Sequence, residues 1–221
     1  MIRYTLKQAS GVVYLGDNWN AGQWKQANIL ELNNYRGDRP EHFPKTKAKL
    51  LYDDANLYVF FRVEDRYVRA IADRSNGRVW EDSCVEFFFA PNAEFESIYF
   101  NLETNCGGTM LFLYNNKKNN AKRHIEQADC KKIEVYHSLP GIISEEIVEP
   151  TKWTLSYKLP FAVIKKYCHN AKKPRTGVKW RANFYKCADK TSHPHWLTCP
   201  FVDNLMLYFH LPQYFGRLDF E

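Results

Sequence analysis

The sequence lacks several features that would place it in other classes of protein. Among its 221 residues there is no run of about 18 apolar side chains, so no membrane-spanning helix is expected. The first residues contain no apolar stretch of the kind found in signal peptides, and none is predicted in this chain. Glycine and proline number only 10 each, which excludes collagen-like and low-complexity compositions.

The spacing of the cysteines excludes a common kind of metal site. The chain has six cysteines, yet no two of them form a Cys-x-x-Cys pair, so a structural zinc site is not expected. Free, partly buried thiols are the simplest interpretation. One or two disulfides are the alternative if the protein is exported, because disulfides persist in oxidising compartments.

Positive charge is in modest excess and is scattered along the chain. The net charge is +6, and the lysine pairs at 117–118, 131–132, 165–166 and 172–173 are separated in the sequence. A nucleic-acid surface needs basic side chains clustered on one face. No such stripe is visible, so neither nucleic acid nor a membrane is expected as a partner.

The chain is rich in alternating aromatic and β-branched residues, a pattern typical of strands. One helix is predicted at 161–168, opened by Pro160. Residues 1–45 are predicted to form an irregular segment with one or two short strands that cover the core, and Trp24 is predicted to lie over the core as an aromatic lid. The pattern predicts a single all-β domain over 1–221, an antiparallel, jelly-roll-like β-sandwich with one short helix. Its strands are predicted at 49–52, 57–63, 79–89, 99–104, 109–114, 132–136, 142–148, 153–159, 178–188, 205–210 and 216–220.

Three motifs follow one another along most of the chain. The predicted hairpin ends in VED at 63–65, the next strand begins with WEDSCVE at 80–86, and the chain closes with PQYFGRL at 212–218. In these motifs the chain resembles the family 9 carbohydrate-binding modules and their close relatives. The resemblance implies a non-catalytic β-sandwich that holds the end of a plant-type oligo- or polysaccharide. It also implies an extracellular or periplasmic location if a leader was removed.

The resemblance also assigns aromatic residues to the sugar site. Sugar-binding members of the family hold the terminal sugar between two tryptophans, and the first of these matches Trp80, which lies between a polar loop and two acids. Phe209 stands in the position of the second. This is a departure from the family, because phenylalanine offers less stacking area and no N–H donor. Trp196 or Tyr214 could supply the second ring instead.

Polar contacts follow from the same resemblance. Asp65 matches an aspartate that contacts sugar hydroxyls, with a capped turn as its alternative role. Tyr99 stands where the family has an arginine, which is a second departure. Arg69 or Arg74 is therefore expected to provide the missing donors.

One further contact and one ion complete what the resemblance implies. Lys186 or Asn183, on the long predicted strand, matches a residue that contacts the sugar. Family members often carry structural calcium, so a structural calcium ion is the one cofactor considered. The chain has no Asp-rich loop of the EF-hand type, and the pair His193 and His195 has no third ligand nearby in the sequence.

Two other functions compete with sugar binding. The chain could keep the fold as a scaffold or protein-interaction domain without binding sugar, which the departures at Phe209 and Tyr99 favour. A glycoside hydrolase would need two carboxylates facing each other across a sugar. The expectation is a monomer without enzymatic activity that binds an oligo- or polysaccharide. The acids available for hydrolysis are Asp65, Glu81, Asp82, Glu86 and Glu103.

Overall fold

A computed structural model of the protein describes residues 2–16, 18–94, 97–204 and 207–221. The strands in these ranges are β1 (Arg3–Gln8), β2 (Leu30–Glu31), β3 (Asn34–Tyr35), β4 (Lys45–Tyr52), β5 (Asn56–Asp65), β6 (Val68–Ala70), β7 (Cys84–Ala90), β8 (Ile98–Asn105), β9 (Met110–Asn116), β10 (Ala121–His124), β11 (Glu134–His137), β12 (Ile143–Ile147), β13 (Thr151–Pro160), β14 (Lys179–Cys187), β15 (Trp196–Cys199) and β16 (Gly216–Phe220). The helices are α1 (Gln127–Cys130) and α2 (Phe161–Tyr167), with 3₁₀ turns at Gly22–Gln26, Val79–Glu81 and Pro212–Tyr214. None of the helices in these ranges has the length and apolar character needed to cross a bilayer.

Strand β1 joins the two halves of the sandwich. One half has the strand order β10-β9-β8-β7-β14-β16, and the other has the order β4-β5-β13-β11. The first part of β1 pairs in parallel with β16, and its last two residues, Lys7 and Gln8, pair in parallel with β4. The other pairings in the described ranges are antiparallel. The predicted all-β sandwich is therefore confirmed, with one parallel strand that makes its sheet mixed.

The core forms because alternate side chains of the central strands point inward. On β7, Val85, Phe87 and Phe89 are buried in the core. The ring of Phe87 stacks on that of Phe184 from β14, with centroids 5.0 Å apart, and Phe184 meets Phe61 of β5 at 6.4 Å. Each such ring contributes about 1.5–3 kcal/mol by leaving water. The same alternation turns Glu86 to the other side of the sheet.

A second apolar cluster covers the other half of the sandwich. Trp19 and Trp24 meet the ring of Phe60 edge-on, at centroid distances of 5.1 and 5.0 Å. The buried ammonium of Lys49 donates to the carbonyl oxygens of both tryptophans, at 2.8 and 2.9 Å. Trp24 is fully buried, so its predicted role in covering the core is confirmed.

The predicted strand at 79–89 is shorter in the structure. It begins at Cys84, because Val79–Glu81 forms a 3₁₀ turn and Asp82 ends that turn. The Asp82 carboxylate accepts hydrogen bonds from the backbone N–H groups of Ile71 and Ala72, both at 2.9 Å. These bonds hold the chain in a turn where alternation alone suggests an extended strand.

Other differences lie in short elements. Strands β6, β10 and β15 and helix α1 carry no strong sequence pattern and are not predicted. The segment 1–45 contains the three strands β1, β2 and β3, where one or two short strands are predicted. Of the strand predicted at 205–210, Leu205 and Met206 lie outside the described residues, and 207–210 is not a strand. A tight turn holds this segment, since the N–H of Leu211 donates to the carbonyl of Phe209 at 2.7 Å.

A buried ion pair links the two halves between β5 and β14. The Asp65 carboxylate lies 3.3 Å from the Lys186 ammonium, and both side chains are completely inaccessible to water. Asp65 also bonds to His42 at 2.7 Å and accepts from the indole N–H of Trp153 at 3.3 Å. Burial alone would raise the pKa of Asp65, but the Lys186 charge and the His42 bond outweigh it and hold that pKa below its ordinary range.

The histidine on the other side of this lysine is neutral. Burial and the nearby Lys186 charge lower the pKa of His195 to about 3. Its Nε2 therefore accepts a hydrogen bond from the Lys186 ammonium at 2.7 Å. Lys186 thus forms an ion pair with Asp65 on one side and a hydrogen bond with His195 on the other.

We predict that breaking this pair destabilises the fold. Asp65→Asn or Lys186→Met should each lower the free energy of unfolding by about 3–5 kcal/mol, because each leaves a buried charge without its partner. The double variant should lose clearly less than the sum of the two. Urea unfolding followed by circular dichroism measures this. Glu134→Gln, which breaks an exposed pair with Lys158, is the control and should cost under about 0.5 kcal/mol. Additive losses would contradict a coupled pair.

Candidate functional site

A cavity of about 230 Å³ opens on the face of β7, β8, β9 and β14 that points away from the core. Its walls carry aromatic rings from three separate parts of the chain, namely Trp80, Trp196 and Phe209. Its floor carries side chains from the strands. The complete lining is Trp80, Glu86, Phe88, Glu103, Leu111, Leu113, Lys122, Cys187, Asp189, Trp196, Leu207, Tyr208, Phe209 and His210.

Trp80 is held by the 3₁₀ turn that precedes β7. Asp82, which ends this turn, is buried and accepts from the guanidinium of Arg69 at 3.2 Å and from the amide of Asn105 at 3.0 Å. The conformation of the turn is therefore fixed by a carboxylate with several donors. As a result Trp80 is half-buried, with its ring at the cavity wall.

Trp196 and Trp80 are connected through one acid. The indole N–H of Trp196 donates to the Asp189 carboxylate at 2.7 Å, and the backbone N–H of Asp189 donates to the carbonyl of Trp80 at 3.1 Å. Asp189 therefore fixes the spacing of the two indole rings. Burial raises its pKa, against the effect of the Trp196 bond.

Phe209 is held from beneath by a tyrosine. Its ring stacks on Tyr185 with a centroid distance of 4.0 Å and an interplanar angle of 10°. The Tyr185 hydroxyl also donates to the Phe209 carbonyl at 3.0 Å. On the next residue, the ring nitrogen Nδ1 of His210 bonds to the Tyr99 hydroxyl at 2.9 Å. Two tyrosines of the sheet thus dock the segment that closes the cavity.

The floor contains two buried carboxyl groups side by side. Glu86 of β7 and Glu103 of β8 are directly opposite each other in the strand register, and they are 2% and 5% exposed. Burial and the neighbouring Cys187 and Glu103 raise the pKa of Glu86 well above its usual range. Burial raises the pKa of Glu103 to about 7, although a bond from Asn101 at 2.7 Å opposes this.

The donor set beside this floor does not suit calcium. In the described part of the chain, one group of three potential metal ligands lies close together, formed by Cys84, Glu86 and Cys187. Calcium prefers oxygen ligands, and two of these three are thiols.

The six cysteines are buried and free, so the prediction of free thiols is confirmed.

Three of the predicted site residues come together in the structure. Trp80, Trp196 and Phe209 share the cavity, so two of the three candidates for the second ring are present there. Tyr214, the third candidate, does not line it; its hydroxyl donates to the carbonyl of Asp203.

The predicted polar contacts lie elsewhere. Asp65 and Lys186 are paired inside the sandwich and expose no atom to a ligand. Arg69 pairs with Asp82 and supports the turn of Trp80, and Tyr99 is 1% exposed beneath His210. These four side chains therefore support the walls of the cavity or the core and do not line the cavity.

The sequence alone does not reveal the carboxyl floor. Alternation along β7 places Glu86 on the face away from the core, and both Glu86 and Glu103 are among the acids considered for hydrolysis. What the sequence does not give is the register that sets the two glutamates opposite each other. Asp189 lies in a segment without periodic pattern, and His210 ends the strand predicted at 205–210, of which 207–210 is not a strand in the structure. Neither residue is therefore predicted as part of a site.

A larger cavity of about 460 Å³ lies beside helix α2 and is less suited to a specific ligand. Its lining is mostly apolar, with Phe161, Ile164 and Trp180, and with lysines such as Lys165. The acidic residue in its lining, Asp54, is exposed. Specific small-molecule sites combine apolar walls with a few convergent polar groups, which the smaller cavity has.

The carboxyl floor should make stability fall as pH rises. A carboxyl group whose pKa is higher in the folded state stabilises the fold below its ordinary pKa, and this contribution is lost as pH rises through the folded value. For Glu103 this range runs from 4.5 to about 7. We predict that wild type loses on the order of 3 kcal/mol relative to Glu103→Gln between pH 5 and pH 8. Urea unfolding at both pH values tests this, and parallel pH profiles would contradict it.

Comparisons with known proteins identify the family and the fold. The model of carbohydrate-binding family 9 matches residues 21–220. The chain is 27% identical to a crystal structure from Bacteroides uniformis ATCC 8492, provisionally classed as carbohydrate-binding, with 99% of each chain covered and a TM-score of 0.86. A comparison with curated proteins returns no match.

Two solved structures from Caldicellulosiruptor kristjanssonii share the fold. A family 9 module in complex with cellotriose is 16% identical, with 100% of this chain and 94% of that chain covered and a TM-score of 0.64. A family 9 module in complex with glucose is also 16% identical, with 100% and 96% covered and a TM-score of 0.60. With its family match extending over most of its length, this chain belongs to carbohydrate-binding family 9.

Proposed function

We propose that this chain acts as one monomeric, non-catalytic module that binds the end of an oligo- or polysaccharide, with the terminal sugar in the cavity lined by Trp80, Trp196 and Phe209. One observation carries the proposal: three aromatic side chains from separate segments converge on one cavity above two buried carboxyl groups. Neither a nucleic acid nor a membrane is proposed as a partner.

The chemistry of the lining suits a sugar ring. The C–H face of a pyranose stacks on aromatic rings, while its hydroxyls both donate and accept hydrogen bonds. Glu86, Glu103 and Asp189 offer carboxyl groups for these hydroxyls, and Lys122 at the rim offers a donor. Expected affinity is weak, on the order of micromolar to millimolar, because the contact area is small.

The size of the cavity favours the end of a chain. Pockets for drug-sized ligands usually measure about 300–1,000 Å³. A cavity of about 230 Å³ accommodates one sugar ring better than several. The family 9 modules from Caldicellulosiruptor kristjanssonii were solved with cellotriose and glucose, so a glucan-type chain end is the first ligand to test.

The two floor carboxyls do not favour a glycoside hydrolase. A glycoside hydrolase needs its two carboxyl groups on the two sides of the bond that it cleaves. Glu86 and Glu103 are opposite each other on neighbouring strands and lie side by side in the floor of one cavity. Binding without turnover is therefore the function proposed.

We predict that wild type binds glucose, cellobiose and cellotriose, and that Trp80→Ala weakens binding roughly tenfold or more, because it removes a stacking face. Isothermal titration calorimetry measures both. Phe209→Ala should act in the same direction. Tyr14→Ala is the matched control, since Tyr14 is 66% exposed and does not line the cavity, and it should bind as wild type does.

The outcomes separate the competing functions. Binding by wild type that persists in a folded Trp80→Ala variant would place the sugar elsewhere. Failure of wild type to bind any of a broad panel of plant sugars would favour a scaffold or protein-interaction domain. Circular dichroism on each variant distinguishes a lost site from a lost fold.

A further inference from the structure

The cavity that we assign to the sugar has an imbalance of charge. Among the residues that the structure describes, the carboxyl side chains of Glu86, Glu103 and Asp189 line it against the single ammonium group of Lys122. Lys122 is exposed on β10 at the rim, whereas Glu86 and Glu103 are buried in the floor. A neutral hexose would not compensate this excess of carboxyl groups.

One carboxylate oxygen in the floor has no hydrogen-bond donor. The Oε1 atom of Glu86 accepts from the Cys187 thiol at 3.0 Å. Its Oε2 atom is buried and has no partner among the residues that the structure describes. A buried acceptor without a donor costs about 1–3 kcal/mol, and more when it is charged. A donor brought by a ligand would remove this cost.

The walls suit a cation as well as a sugar. Ring faces attract an ammonium group through the quadrupole of the π system, and tryptophan does so most strongly. Trp80, Trp196, Phe209 and Tyr208 all line the same cavity. Aromatic rings around buried carboxylates are a combination that recognises organic ammonium groups.

We propose that this cavity prefers a sugar that carries a protonated amine, a hexosamine with a free ammonium group, over a neutral hexose. The inference rests on the proposed function, since it concerns which sugar the same cavity takes. The ammonium would donate a hydrogen bond to Oε2 of Glu86 and lie against the aromatic walls. The sugar ring would keep the stacking that any hexose makes.

Proton release accompanies this mode of binding. The titratable groups that interact with Glu86 or Glu103 are Cys84, Cys187, Tyr99, Tyr185, Lys122 and Asp189. Burial raises the pKa of both glutamates, to about 7 for Glu103, so near neutral pH the pair holds a proton in the free protein. A bound cation favours the ionised carboxylates and lowers their pKa. The pair therefore gives a proton to the solvent when an ammonium binds.

The test compares charged and neutral sugars on the whole chain. Calorimetric titrations at pH 7 use glucosamine and 6-amino-6-deoxyglucose as amines, with glucose and N-acetylglucosamine as neutral counterparts. At least one amine should bind about tenfold more tightly than both neutral sugars. Its apparent enthalpy should change between buffers of different ionisation enthalpy, which reports the released proton. Added salt should reduce the preference.

Variants of the floor carboxyls test whether these groups cause the preference for an amine over a neutral sugar. Glu86→Gln should reduce the affinity ratio of amine to glucose towards one, and Glu103→Gln is the second variant if the first does not fold. Glu134→Gln, an exposed acid on β11, is the control and should keep the ratio. Neutral sugars that bind as tightly as both amines would overturn this inference while leaving sugar binding intact. Failure of every sugar to bind would overturn the proposed function and this inference together.

Discussion

The arrangement of the site depends on the two-sided burial of strand β7. One face of the strand carries Phe87 and Phe89 into the core, and the other carries Glu86 beneath the aromatic cavity. A carboxyl group normally stays at the surface, because transfer of its charge away from water is costly. Here Glu86 and Glu103 are buried side by side, so the floor is polar while the walls and the supporting core are apolar.

The walls are fixed by a layer of polar side chains behind them. Asp82 holds the turn that carries Trp80, and Asp189 connects Trp80 to Trp196. Tyr185 supports Phe209 by stacking and by a hydrogen bond. Rigid support of this kind reduces the loss of side-chain entropy on binding, so weak stacking contacts can still give measurable affinity. The cavity is therefore largely formed before a ligand arrives.

The sequence predicted the part of this arrangement that local patterns determine. Alternation along β7 predicts which of its side chains point into the core, and the motif around Trp80 predicts one wall of the cavity. The polar contacts could not be predicted, because burial is decided by residues far away in the sequence. Asp65 looks like a polar residue at the end of a hairpin, yet it pairs with Lys186 about 120 residues later. The pairing of Glu86 with Glu103 likewise depends on strand register, which composition does not encode.

The chain has Phe209 at the position where the family has its second tryptophan. In the structure Trp196 lines the same cavity as Trp80, so the cavity still has two indole rings. The most direct test is a crystal structure of the protein soaked with glucose or cellotriose. We predict the terminal sugar against Trp80, with Phe209 or Trp196 on its other side and Glu86 within hydrogen-bond distance. A sugar bound on another surface, with this cavity filled by water alone, would contradict it.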